Sequence, residues 1–190
     1  MSKRNIHRLV GACVAAATAL AVTPVQARDH GRVTVVRGPS GGGYIAGRHV
    51  SRESGETQVT RGALTRSGHG YRQTRTTSAG DGTVSNQVER RYANGASMSR
   101  SGSVTRNDDG SVSASRSRTG PGGNSRSGWS TIYRTDDGYT AQRGASTSNG
   151  RGYSASRDVS VQDDQVTVNR NAVTNSGRSV SSTRTYPRGN

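Results

Sequence analysis

The chain of 190 residues sets 27 Lys and Arg against 12 Asp and Glu, a formal net charge of +15. Its single cysteine excludes an internal disulfide framework, and 28% hydrophobic content without any Phe excludes a large packed core. Positive charge on this scale points to anionic partners in kind, and leaves the fold to be argued from pattern.

Lys3, Arg4, His7 and Arg8 form a basic head, followed by an apolar run from Leu9 to Val22. Val25 and Ala27 then stand where a signal peptidase reads small or short side chains, so residues 1–27 are predicted to be a secretory signal helix cut after Ala27. The run is shorter than the roughly 20 apolar residues that cross hydrocarbon, and no transmembrane span is expected in the mature chain. Val10-Gly11-Ala12-Cys13 has the small residues of a lipoprotein signal, but most of the hydrophobic run comes after Cys13 rather than before it. Export predicts a periplasmic or extracellular protein, and Cys13 leaves with the signal.

From Arg28 onward there are 163 residues with 24 Arg and no Lys, so the mature charge is +12. Leu, Ile and Val number 18 of these, about 11%, below the roughly 20% under which charged chains are disordered. Composition alone therefore predicts an unfolded chain. The spacing of turn residues predicts the opposite.

Residues 28–43 read as a leader, with one short strand at Arg32-Val33-Thr34-Val35-Val36 and a breaker from Gly38 to Gly43. A repeat region covers 44–190. Asp81-Gly82, Asp109-Gly110, Asp137-Gly138 and Asp164-Gln165 recur at steps of 28, 28 and 27 residues. Asn94-Gly95, Gly122-Gly123, Asn149-Gly150 and Ser176-Gly177 recur between them at 28, 27 and 27. Glu53-Ser54-Gly55 and Ser67-Gly68 continue both series backwards in a worn form. A fixed period of this kind marks a repeat architecture, here strand, turn, strand, turn.

Between the turns the alternation has period two. Tyr153, Ala155, Arg157, Val159 and Val161 take one side, with Ser154, Ser156, Asp158 and Ser160 on the other. Asn-Gly at Asn94-Gly95 and Asn149-Gly150 suits two-residue type I′ turns, whereas Asp108-Asp109-Gly110 and Asp136-Asp137-Gly138 suit three-residue loops closing on a left-handed Gly. The expected fold is all-β: an antiparallel meander of about ten short strands built from a 28-residue hairpin repeat. A β-solenoid is the alternative. It would stack Arg157 on Arg184 at a 27-residue step, and like charges in register disfavour it. In the meander one face carries Val, Tyr and Ala crossed by Arg, and the other mostly Ser and Thr. Such a face must curl, pair with a second copy or lie on a surface. A transmembrane barrel fits poorly, because a lipid-facing side tolerates Arg badly.

No catalytic motif emerges. His30, His49 and His69 are isolated, without the paired spacing of a zinc site. Asp108-Asp109, Asp136-Asp137 and Asp163-Asp164 are explained as turn residues, and the glycine-rich nonapeptide of calcium rolls is absent. The serines lie in no Gly-x-Ser-x-Gly elbow. Tyr71, Tyr92, Trp129, Tyr133, Tyr139, Tyr153 and Tyr186, interleaved with Arg, read as cross-strand packing under Arg stems. Neither an enzyme, a cofactor nor a small-molecule substrate is expected. The sequence instead predicts an exported structural or adhesive protein of the cell envelope or extracellular matrix, with self-association as one way to cover its face. The alternative is a binder of anionic polymers (lipopolysaccharide, acidic polysaccharide or extracellular DNA) through Arg100, Arg116, Arg118, Arg126, Arg143, Arg157 and Arg184. In an exporting bacterial host the recovered protein should begin at Arg28 by amino-terminal sequencing; recovery of a chain starting at Met1 would remove the signal assignment.

Overall fold

Ser, Thr, Val and Arg in alternation, cut by a Gly- or Asp-bearing turn every dozen or so residues, leave the backbone little choice but short paired strands. The computed structural model describes residues 29–38 and 42–187; the predicted signal helix and its cleavage point lie outside these residues, as does part of the Gly-rich breaker. Twelve strands form rather than about ten: β1 His30–Arg37, β2 Gly43–Glu53, β3 Glu56–Thr65, β4 Gly70–Gly80, β5 Thr83–Tyr92, β6 Ser97–Arg106, β7 Val112–Thr119, β8 Ser125–Thr135, β9 Gly138–Thr147, β10 Gly152–Gln162, β11 Gln165–Thr174 and β12 Ser179–Pro187. The worn first unit supplies two full strands, β2 and β3, and the leader strand pairs along β2 as the first strand of the sheet.

Each strand pairs antiparallel with the next in sequence, giving one sheet in the order β1 to β12. The solenoid alternative is thereby set aside. Among the described residues no strand touches any but its sequence neighbours, so the sheet is a single open layer with β1 and β12 as free edges. Burial is correspondingly thin. Val50 and Val168 are the buried hydrophobic residues, at 9% and 7% exposure. The ladder of backbone hydrogen bonds, with side-chain pairs along it, is what holds the chain.

The turns differ from expectation in an instructive way. Tyr92 and Thr147 each bond across five residues, Tyr92 N donating to Ala96 O and Thr147 N to Arg151 O, with Gly95 and Gly150 at φ 84° and 78°. Asn94-Gly95 and Asn149-Gly150 thus sit in three-residue loops, not two-residue type I′ turns. The Thr147 hydroxyl also donates to Arg151 O, as Thr65 does to His69 O and Thr174 to Arg178 O, so the hydroxyl spans the wider loop. Asp136-Asp137-Gly138 is corrected in the other direction. Thr135 pairs with Gly138, leaving Asp136-Asp137 as a two-residue turn with Gly138 inside β9. Gly138 has no room for another atom, since a Cβ there would run into the Val159 carbonyl.

Asp81-Gly82 and Asp163-Asp164 are two-residue turns with both residues left-handed, Asp81 at φ 48° and Asp163 and Asp164 at 48° and 59°. Asp tolerates that region through its short polar side chain. Asn107-Asp108-Asp109-Gly110 is a three-residue loop as expected, closed by Asn107 N to Ser111 O and Gly110 N to Asn107 O. Ser111 is 2% exposed; its amide donates to Asp109 Oδ1 and its hydroxyl accepts from Asn107 Nδ2. The Ser111 hydroxyl and amide hold the Asp109 carboxyl below its ordinary range.

Measured at the last turn residue, the hairpins step from 55 to 82, 110, 137 and 164, so the single 28-residue step is the one ending in the wider loop at 108–110. The register steps by less. Arg52 faces Thr57 and Thr57 faces Thr77, an advance of 25 residues over two strands. Each hairpin therefore projects beyond the last, and the rims of the sheet are slanted. Turn carbonyls bridge the offset: Gly55 O accepts from Ala79 N, Gly82 O from Arg106 N and Asp137 O from Val161 N.

Gly110→Val forces a β-branched residue to φ 77° and should lower stability by about 1–2 kcal/mol. Gly122→Ala, in open space without a left-handed φ, should stay within about 0.5 kcal/mol of wild type. Thermal unfolding followed by circular dichroism compares the two, and equal stability would overturn the assignment.

Candidate anion-binding face

Side chains of directly opposed residues share a face, so the register assigns every strand residue to one of two sides. Arg32, Arg48, Arg52, Arg61, Arg75, Arg90, Arg100, Arg106, Arg116, Arg118, Arg126, Arg134, Arg143, Arg157, Arg170 and Arg184 all fall on one. All of these except the half-buried Arg90 are exposed. The strand carboxylates Glu53, Glu56, Glu89 and Asp158 lie on the other face, with Arg37, Arg72 and Arg91. The remaining turn acids, Asp81, Asp108, Asp109, Asp136, Asp137, Asp163 and Asp164, line one rim, at the ends of β4, β6, β8 and β10. The opposite rim, with Arg66, His69, Arg151 and Arg178, has no carboxylate.

The second face is a field of hydroxyls. Ser78 and Ser85, Ser101 and Ser117, Ser103 and Ser115, and Ser127 and Ser146 bond across strands at 2.7 to 2.9 Å. Trp129 lies there over Gly144, where an added Cβ would come 2.6 Å from the indole Nε1. Near β1, Gly31, Gly47, Gly62 and Gly70 leave an open depression of about 770 Å³ beside Val33, Ile45, Leu64 and His49.

The most structured part of the arginine face crosses β1 to β5. Arg32 faces Arg48, Arg48 faces Arg61, Arg61 faces Gln73, and Gln73 faces Arg90. Gln73, 7% exposed, accepts at Oε1 from Arg61 Nη2 at 3.3 Å and from Arg90 Nε and Nη2 at 3.1 and 2.6 Å. Tyr71 and Tyr92, opposed to each other, hold Arg90 from below, its guanidinium carbon 4.8 and 5.9 Å from their ring centres. A neutral amide oxygen thus gathers two guanidiniums where a carboxylate would neutralise them. The grouped cations can take bidentate contacts from phosphate, sulfate or carboxylate on the open side.

All seven arginines expected from sequence to bind anions stand on this face. Arg100, Arg118 and Arg126 are consecutive cross-strand partners, and Arg116 occupies the adjoining row between Gly102 and Gly128, lying over Gly128. Arg143, Arg157 and Arg184 are dispersed on β9, β10 and β12; Arg157 faces Arg170 and covers Tyr139 at 5.6 Å. The row of like charges overturns the reason given against a solenoid, since the meander itself places Arg opposite Arg. Exposed guanidiniums tolerate this because water and salt screen them.

Sequence reading missed Arg61, Gln73 and Arg90, which sit in the early units. A signal was present in the numbering. A two-residue turn pairs odd with even positions and a three-residue loop preserves parity. Arg90 and Arg100 are both even across the Asn94-Gly95 loop, whereas Arg134 is even and Arg143 odd across Asp136-Asp137. His30 and His49 lie on opposite faces and His69 in a turn; among the described residues no three His, Asp or Glu side chains gather as a metal site. The chain matches no family model, no curated protein and no solved structure.

Gln73→Leu removes the acceptor shared by Arg61 and Arg90 and should cost about 1–2 kcal/mol in thermal unfolding. Gln73→Glu, which keeps an acceptor and adds charge, should equal or exceed wild type. If Gln73→Leu proves as stable as wild type, the triad has no energetic weight.

Proposed function

We propose that this chain is an exported, non-enzymatic binding module whose arginine face lies on an anionic polymer, lipopolysaccharide, acidic polysaccharide or extracellular DNA. The observation that carries the reading is the segregation of strand charge. Sixteen arginines share a face with no carboxylate, and the acids that could neutralise them stand on the other face and along one rim. Such a face repels itself until counter-ions collect on it, and a polyanion that replaces them releases those ions to solution. Arginine suits phosphate, sulfate and carboxylate alike, so a class of polymer is recognised rather than one sequence.

A structural or adhesive role at the envelope or in the matrix is the second reading. It is supported by the single open layer, which presents both of its faces. The two readings part on salt. Retention on immobilised DNA or lipopolysaccharide should fall steeply between about 50 and 200 mM salt. Replacing Arg100, Arg118 and Arg126 by Gln should lower the logarithmic salt slope by about 0.9 for each DNA phosphate contact removed. Replacing Arg72 and Arg91, on the hydroxyl face, should leave the slope unchanged. No retention at the lower salt sinks the binder and leaves the structural role.

A further inference from the structure

The two free edges of the sheet are complementary to each other. Gly38 N donates to Gly42 O, which fixes the even-numbered residues of β1 as those bonded inward to β2. Thr174 N likewise donates to Arg178 O, so the even-numbered residues of β12 are bonded inward to β11. The outward groups are therefore the odd ones, Val33 and Val35 on one edge and Thr183 and Thr185 on the other. With an even number of strands, β12 runs antiparallel to β1. Placing them side by side continues the antiparallel order, the alternation of bonded pairs and the separation of faces without a break.

We propose that β12 of one copy pairs with β1 of the next, head to tail, extending the meander through successive molecules. The partner is a second copy of this chain. Among the registers this alternation allows, charge gives only a small preference. With Thr183 opposite Val35 and Thr185 opposite Val33 of the next copy, Arg184 meets Thr34 and Tyr186 meets Arg32. A slip of two residues in one direction would set Arg184 against Arg32 instead. The chosen register also covers Val33 and Val35, which are 71% and 56% exposed. Both edge strands are exposed along their whole length, and among the described residues no loop covers either; the one proline, Pro187, takes the last outward position of β12, opposite Gly31 in this register and beyond the two pairs named. The contact is heterologous, so assembly remains open-ended unless curvature closes a ring.

Proline at an outward position removes one intermolecular donor and leaves the internal ladder intact. Sedimentation velocity at rising concentration should show a series of multimers for the wild-type protein. Val35→Pro and Thr183→Pro should each be monomeric at those concentrations, with wild-type circular dichroism. Their equimolar mixture should form dimers and stop there, because only one edge of each variant stays open. A monomeric wild type overturns the proposal. So does dimerisation of Val35→Pro alone, which would mean β12 pairing with itself, or a mixture that remains monomeric. Val33→Pro and Thr185→Pro form a second pair to which the same outcomes apply, should either first variant lose its β spectrum.

Discussion

Everything in this molecule hangs on the antiparallel ladder, because little else is available to hold it. A sheet with two buried valines gains little from burial, and its side chains contribute chiefly as cross-strand pairs. The ladder imposes a rule on the sequence: whatever a strand shows on one face, its neighbour must show on the same face through the register. Turn length sets that register. Two-residue turns after β2, β4, β8 and β10 switch the numbering parity of the arginine side, and three-residue loops after β3, β5, β6, β7, β9 and β11 keep it. All strand arginines except Arg37, Arg72 and Arg91 follow the switch, so turn chemistry and charge placement act as one specification.

Segregation of charge is the main product of that specification. Two guanidiniums 4 Å apart in water repel by about 1 kcal/mol, and salt reduces this further. That is small beside the loss of a strand pairing, which is why Arg100, Arg118 and Arg126 can stand in a row. Where packing is closer the sequence intervenes. Gln73 and the two tyrosines beneath Arg90 give the guanidinium one shared acceptor and a π face in place of an acid. A carboxylate there would bind more strongly and would also cancel the charge that the face displays.

Much of the fold was legible in the sequence because turn residues and period-two alternation are local signals. The meander, the division into an arginine face and a hydroxyl face, and the corner at Asn107-Asp108-Asp109-Gly110 all follow from them. Dipeptide preference points to the wrong loop width at Asn94-Gly95, Asn149-Gly150 and Asp136-Asp137-Gly138, because register decides the width there. Threonine hydroxyls span the wider loops at Thr65, Thr147 and Thr174, but Tyr92 opens such a loop without one and Thr135 opens a two-residue turn, so no single residue type marks the width. On the candidate face, the seven arginines named from the sequence stand on one side, which the register shows and their spacing alone does not. The Arg61, Gln73 and Arg90 cluster escaped because Gln73 lies 12 residues from Arg61 and 17 from Arg90, and only the pairing of β3, β4 and β5 joins them.

The agreement between unit length and turn width has a consequence at the level of the gene. A 27-residue unit holds one parity-switching turn and a 28-residue unit holds none, so either can be duplicated or lost and the following arginines still emerge on the same side. Unequal crossing-over between such units would yield shorter or longer ribbons with the same face. Length is thus a variable that inheritance can tune by whole hairpins, without redesigning a core or moving a site.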